Sequence, residues 1–214
     1  MKKILALVLT LVLLTASVGV LAEEMPLSGG WSVNTTTSAL KLDKLAKQAL
    51  KKATKDYVGM SLTPLALLGE QVVAGMNYCY LAYSSTATYP PVNNLCKVYV
   101  YQDLAGKAEL TKIKTLKLKH APSGGWVLSS TQKAAKVESQ AKKALKKATG
   151  TLVGADYKPL LVLARGSKEG TAWCLLCSKQ VVVPGSSASL CLVYVKKSGK
   201  SYKISGINDL TLAR

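Results

Sequence analysis

The sequence predicts an α+β protein of two tandem units, each an antiparallel sheet wrapped around one long helix. Three observations predict this architecture: one unit recurs at an offset of 95 residues, each copy has a single stretch of helical periodicity, and strand-like segments follow that stretch. Hydrophobic residues make up 49% of the chain and charged residues 19%. This composition can bury a core, so a wholly disordered or collagen-like protein is excluded.

The first 22 residues have the pattern of a secretory signal peptide. Two lysines follow Met1, as is typical of bacteria, residues 4–14 are almost continuously apolar, and Val-Leu-Ala at 20–22 suits cleavage. We expect a mature chain that begins at Glu23 and is exported to the periplasm or the extracellular space. The alternative is an uncleaved membrane anchor, although the apolar run falls short of the roughly 20 residues that span a bilayer. No transmembrane segment is expected after cleavage.

The repeat is defined by identical segments in one register. Ser-Gly-Gly-Trp at 28–31 recurs at 123–126, and Ala-Leu-Lys-Lys-Ala-Thr at 49–54 recurs at 144–149. A unit of this length can have its own core, unlike the shorter unit of a solenoid. We therefore expect a first domain at 23–120 and a second domain at 121–214.

Within the first unit, the pattern of hydrophobic residues changes once, from helical spacing to segments typical of strands. Residues 42–53 place leucine and alanine at helical spacing with lysines mostly on the other face, after a Thr/Ser cluster at 35–38 that offers N-caps. Segments rich in Leu, Val and Tyr then predict strands at 62–73, 76–83, 95–101 and 110–118. One helix beside four antiparallel strands can bury its apolar stripe only by lying across the sheet.

Five cysteines in an exported chain indicate disulfide bonds. Cys79 and Cys96 lie on consecutive predicted strands of one hairpin, and Cys174 and Cys191 hold the same positions in the copy. The repeat therefore predicts the bonds Cys79–Cys96 and Cys174–Cys191, each worth roughly 3 kcal/mol. Cys177 is left as an unpaired thiol or an intermolecular bridge. Its pairing with Cys174 is disfavoured because residues i and i+3 of a strand point to opposite faces.

A segment between two predicted strands carries a family resemblance. Residues 71–75 read Gln-Val-Val-Ala-Gly, Gly-Gly at 29–30 precedes the helix, and Leu-Ala-Gly at 104–106 follows a Lys-Val-Tyr-Val strand. In this order the segments resemble the N-terminal glycine, the Q-x-V-x-G hairpin and the Leu-Pro-Gly hairpin of the cystatins. The resemblance implies two tandem cystatin-like domains, the first of which inhibits papain-like cysteine proteases.

The resemblance also implies which residues contact the protease. In cystatins the N-terminal glycine segment and the two hairpins form a wedge that enters the active-site cleft. The positions implied for protease contact are Gly29, Gly30, Gln71, Val72, Val73, Ala74, Gly75, Leu104, Ala105 and Gly106. Small residues allow close backbone approach, and the valines add apolar area. Two alternatives stay open: 71–75 is only a hairpin turn, and Gly29-Gly30 is only a flexible lead into the helix, since it recurs at 124–125.

The second unit departs from this pattern at the hairpin. The positions that match 71–75 read Gly-Ser-Lys-Glu-Gly at 166–170, so only the glycine is retained. The charged Lys168 and Glu169 would have to be desolvated in an apolar cleft, which opposes binding. The second unit is therefore expected to be a poor inhibitor.

The net charge of +18 supports an alternative function. A secreted basic protein of this kind would bind polyanions, such as anionic cell-surface polymers or lipids, through nonspecific and salt-sensitive contacts. The alternative explanation of the charge is that the lysine-rich faces only keep the protein soluble. No specific nucleic-acid binding is expected, since stacking aromatics are missing from the helices. Because the chain has one histidine, His120, and no G-x-S-x-G, we expect no enzymatic activity, no metal and no cofactor.

Overall fold

A computed structural model of the protein describes residues 29–168 and 170–212. The expected signal peptide at 1–22, the segment 25–27 that precedes Gly29 and the residue Glu169 lie outside the described residues. The elements of the first half are β1 (Trp31–Val33), α1 (Lys44–Ala53), β2 (Met60–Val73), β3 (Gly75–Thr86), β4 (Asn93–Gln102) and β5 (Ala108–Thr115). Those of the second half are β6 (Trp126–Leu128), α2 (Ser139–Thr149), β7 (Ala155–Gly166), β8 (Ala172–Val181), β9 (Ser189–Ser198) and β10 (Ser201–Asp209).

Each half of the chain forms one antiparallel sheet of five strands. The first sheet has the order β1-β2-β3-β4-β5, and the second has the order β10-β9-β8-β7-β6, so strands that follow one another along the chain are neighbours. The four long strands of each half arise from β-branched and aromatic segments. The short strands β1 and β6 were not predicted, because three residues are too few to show a period.

The predicted α+β architecture, with one long helix wrapped by a sheet in each of two cystatin-like domains, is wrong. The described structure is mostly β, with 49% of residues in strands and 11% in helices. The helices are short, with 10 residues in α1 and 11 in α2. The expected caps at 35–38 also lie too early: Asp43 is the N-cap of α1, and its carboxylate accepts a hydrogen bond from the Ala46 amide at 2.7 Å.

The two sheets face each other across the largest core. This cluster takes buried residues from both halves, among them Leu68, Leu81, Leu163 and Leu176. Because the opposite faces of the sheets carry the helices, the layers run α1, first sheet, second sheet, α2. Strands in the centre are therefore covered on both faces, and β3 is buried continuously over 77–82. No helix among the described residues is long and apolar enough to cross a bilayer.

The helices contribute small cores on the outer faces of the sheets. Ala46, Ala49 and Leu50 of α1 are buried against the first sheet, and the Tyr80 hydroxyl donates to the Ala46 carbonyl at 2.7 Å. The α2 helix buries the corresponding alanines and Leu145 against the second sheet. Alanine lets the short helices lie close to the strands, with α1 against β4 and β5 and α2 against β7, β9 and β10.

The predicted disulfides Cys79–Cys96 and Cys174–Cys191 are wrong, because all five cysteines are buried free thiols. In the β3–β4 register Cys79 is opposite Tyr99, three positions away from Cys96. An odd separation places two side chains on opposite faces of a sheet. Cys79 accordingly lies between the two sheets and Cys96 beneath α1.

The same parity separates Cys174 from Cys191 and brings a different pair together. Cys174 lies between the sheets, whereas Cys177 and Cys191 are direct cross-strand partners on the helix side of the second sheet. Sequence reasoning missed this pair because it carried the pairing of the first unit onto the second. Burial raises the pKa of Cys191 to about 12, so its thiol is unreactive in the folded protein.

We expect disulfide mapping to find Cys79, Cys96 and Cys174 as free thiols. If the protein is refolded in a glutathione redox buffer, the register allows only Cys177 and Cys191 to be linked. Alkylation followed by mass spectrometry of proteolytic peptides measures this directly. A peptide linked through Cys79 and Cys96 would contradict the strand register.

The start of α2 is fixed by an ion pair. The Glu138 carboxylate accepts hydrogen bonds from the Arg165 guanidinium at 2.6 Å and from the Trp173 indole at 2.8 Å. The hydrogen bond from Arg165 is the main reason why the pKa of Glu138 lies below its usual range. Glu138 therefore stabilises the folded protein above its unfolded-state pKa, and this contribution is lost as the pH falls through its folded-state pKa.

We expect Glu138→Gln to lower the free energy of unfolding by about 1 kcal/mol at neutral pH, because the carboxylate is partly exposed. The difference from the wild type should shrink towards zero as the pH falls below the folded-state pKa of Glu138, where the wild-type carboxyl is also protonated. Urea denaturation of both proteins across this pH range tests the prediction. A difference that stays constant with pH would show that the charge of Glu138 contributes nothing.

Candidate functional site

The hairpin between β2 and β3 presents two valines at its tip. Val72 pairs with Met76 and Val73 pairs with Gly75, which leaves Ala74 as the turn. The exposed fractions of Val72 and Val73 are 40% and 39%. Nearly all other large apolar side chains of β2 and β3 are buried or half-buried, so the end of the hairpin is an apolar projection.

Gly75 has a structural requirement for glycine. Its φ is +120°, and a Cβ atom at this position would lie 2.3 Å from the Gln102 carbonyl oxygen. The hairpin backbone thus lies directly against the end of β4. The hydroxyl of Tyr101, also on β4, donates a hydrogen bond to the Ala74 carbonyl. Both contacts fix the turn relative to the rest of the sheet.

Gln71 joins the segment before β1 to the hairpin. The Gly29 amide donates to the Val72 carbonyl at 3.2 Å, and the Gln71 side-chain amide donates to the Gly29 carbonyl at 2.7 Å. The Gln71 side-chain oxygen in turn accepts from Asn77 at 2.9 Å. Glutamine suits this position because its amide donates and accepts at once.

The β4–β5 turn lies at the same end of the sheet. Asp103 closes it, because its carboxylate accepts from the Lys107 amide at 2.8 Å and its carbonyl accepts from the Gly106 amide at 3.0 Å. Lys52 at the end of α1 donates to the Gly106 carbonyl at 2.7 Å. The Leu104 side chain, 87% exposed, points away from the protein.

These three segments form a row that we call the first rim, defined as residues 29–30, 71–75 and 103–106. The strand order places them side by side, since β1 begins, β2 ends, β4 ends and β5 begins at this end of the first sheet. The rim offers three exposed apolar side chains on a backbone held by hydrogen bonds.

All ten residues that the resemblance implies for protease contact lie on the first rim, and their role stays a prediction. Sequence reasoning missed the residues that hold the rim together, namely Asn77, Tyr101, Asp103 and Lys52. For Asp103 a signal was present, because aspartate is favoured at the first position of such a turn. The other three act across strands or from the helix, which one sequence does not reveal.

The corresponding end of the second sheet has a different character. We call it the second rim, defined as residues 120–125, 166–171 without Glu169, 196–201 and 203. Gly166 replaces Gln71, so the link to the preceding segment is made instead by the Ser167 side chain, which donates to the Ser123 carbonyl at 3.3 Å. Lys168 is exposed where the first rim has Val73. The second rim therefore offers charge rather than apolar surface.

No family model matches the chain, and no curated protein matches it in sequence. The relation to cystatins therefore remains a resemblance of short segments.

Proposed function

We propose that the protein is an exported inhibitor of papain-like cysteine proteases and that the first rim blocks the protease cleft. The observation that carries the proposal is the alignment of Gly29, the 71–75 hairpin and the 103–106 turn at one end of one sheet. The cystatin resemblance requires these three segments, which are far apart in sequence, to lie together. The strand order brings the corresponding segments of the second sheet together as well, but among the described residues only the first rim carries exposed valine and leucine side chains there.

The first rim is suited to binding because its parts are already ordered. Hydrogen bonds from Gln71, Tyr101 and Lys52 connect the N-terminal segment, both turns and the helix. Little conformational entropy is then lost on association. Val72, Val73 and Leu104 supply apolar area, worth roughly 25 cal/mol per Å² when buried. Each contact is small, and the affinity depends on making all three together.

The same hydrogen bonds explain how the rim would resist cleavage. A protease cleaves a peptide bond that it can align in extended form against its catalytic residues. In the 71–75 hairpin, the two strands pair with each other up to Val73 and Gly75, and the Ala74 carbonyl is bound to Tyr101. Cleavage would first require this hairpin to open, at a cost in free energy. The rim therefore occupies the cleft without acting as a substrate.

An inhibition assay of the full-length chain against papain tests the proposal. The full chain is the right material because the two sheets share a core, so an isolated half would expose that face. We expect inhibition at a one-to-one ratio that persists in about 0.5 M salt, because apolar contacts are screened little. No inhibition, or inhibition that disappears at high salt, would favour the polyanion-binding alternative.

A further inference from the structure

A cavity of about 760 Å³ opens at the second rim. It is bounded by the β7–β8 connection, the ends of β9 and β10, and the segment that joins the two halves of the chain. Among the described residues that line it none is acidic, and its basic lining consists of His120, Lys168, Lys196, Lys197 and Lys203. The cavity is therefore a concentration of positive charge.

Two of these lysines face each other directly. Lys196 on β9 is the cross-strand partner of Lys203 on β10. Direct partners share a face of the sheet, and like charges in this position destabilise it. The described part of the chain has only two salt bridges, Arg165–Glu138 and Lys179–Asp209, so neither lysine is paired with a carboxylate there. A bound anion would relieve this repulsion.

The first unit shows that the fold itself does not require lysine at these positions. The offset of 95 residues relates Lys168, Lys196 and Lys197 to the uncharged Val73, Tyr101 and Gln102. Lys203 faces Lys196 as Glu109 faces Tyr101 in the first sheet. All four lysines therefore stand where the other copy of the unit has a neutral or an acidic residue.

One wall of the cavity is formed by His120, whose ring packs at a tilt of 58° against the Tyr194 ring behind it. The His120 ring lies 5.0 Å from the Tyr194 ring. It also covers Gly206, where a Cβ atom would lie 2.1 Å from the imidazole Nε2. Glycine at 206 is thus needed for His120 to pack here. The imidazole and the nearby Ser123 hydroxyl add polar groups that can bond an oxyanion.

We propose that the second rim binds a small anion that carries two or more linked phosphate groups. Lysine ammonium groups bind phosphate as point charges and need no fixed planar geometry. Lys196 and Lys203 share one face of the β9–β10 pair at a cavity that Lys168 also lines, and these charges match the several negative charges of a di- or triphosphate better than the single charge of a carboxylate. The site does not depend on protease inhibition, since it lies on the other sheet.

Calorimetric titration of the full-length chain with inorganic triphosphate at about 0.15 M salt tests the proposal. We expect Lys196→Gln/Lys203→Gln to weaken binding by roughly tenfold or more, because two charge-assisted contacts are lost. The matched control is Lys143→Gln/Lys147→Gln, which removes two neighbouring exposed charges of α2 outside the cavity. We expect the control to change the affinity by less than about twofold.

Thermal unfolding distinguishes anion binding by Lys196 and Lys203 from a purely structural role of the same two lysines. Without ligand, the Lys196→Gln/Lys203→Gln variant should unfold at a higher temperature than the wild type, because the like-charge pair is gone. Triphosphate should raise the unfolding temperature of the wild type and not that of the variant. As a second variant, Lys203→Glu gives Lys196 an acidic partner and should fold and lose binding.

Titration with different ligands shows whether the cavity recognises linked phosphate groups alone or a nucleoside as well. Equal affinity for inorganic triphosphate and a nucleoside triphosphate, or higher affinity for the nucleotide, supports the proposal and tells whether a base contributes. No binding by the wild type, equal binding of citrate, or an equal loss in the α2 control would overturn it. Because papain inhibition should be unchanged in the Lys196→Gln/Lys203→Gln variant, this site and the inhibitor proposal fail independently.

Discussion

The variant Gln71→Glu/Val72→Lys/Val73→Glu is expected to lose at least about a hundredfold in affinity for papain. Unpaired charges at the tip of the hairpin would have to be desolvated in an apolar cleft, at a cost of about 3 kcal/mol or more. Inhibition constants measured at increasing protein concentration give the loss directly. The fold should remain intact, because Val72 and Val73 are partly exposed and belong to none of the three hydrophobic cores.

A matched control separates the position of the charges from their mere presence. Val182→Lys/Val183→Glu introduces the two charges of the Val72→Lys and Val73→Glu changes at two exposed valines that follow β8, at the other end of the second sheet. We expect this control to inhibit papain like the wild type. The single change Gln71→Ala keeps the valines and releases Gly29, so a smaller loss of roughly tenfold is expected. Full inhibition by the triple variant would exclude the hairpin from the interface.

The second large effect is expected from Gly75→Ala, which should lower the free energy of unfolding by roughly 2 to 5 kcal/mol. Alanine at this φ is strained, and its methyl group would overlap the Gln102 carbonyl oxygen. Either the hairpin moves away from β4 or the protein loses stability. Chemical denaturation measures the stability, and the papain assay reports whether the hairpin has moved.

Gly59→Ala is the control for backbone strain alone. Gly59 has a φ of +102°, and a Cβ atom there would meet nothing within 4 Å. Its substitution should cost about 1 kcal/mol and leave inhibition unchanged. If both variants were equally destabilised, the close approach of Gly75 to β4 would contribute nothing to the free energy of unfolding.

The strands were the most predictable part of the fold. Their β-branched and aromatic segments located β2 to β5 to within a few residues, because such side chains fit a pleated surface. The face-to-face packing of the two sheets was missed. A signal for it was present in β3, where Tyr-Cys-Tyr-Leu-Ala at 78–82 shows no alternation of apolar and polar residues. Such a run indicates a strand covered on both faces.

The candidate site was predictable only through the family resemblance. Short segments identified the residues of the first rim, whereas the bonds of Lys52 and Tyr101 to its turns depend on tertiary contacts. The lysine cavity was missed for a related reason. Lys196 and Lys203 are ordinary surface residues in sequence, and only the β9–β10 register shows that they face each other.

The shared layer of leucines between the sheets has a consequence for how the molecule melts. Neither half can lose its tertiary structure without exposing the inner surface of the other, so we expect a single cooperative transition. The second half, which lacks the Gln-Val-Val-Ala-Gly hairpin, then stabilises the first half, which has it. The second rim lies outside the shared core, so its residues can serve a separate function as long as the residues that face the first sheet are unchanged.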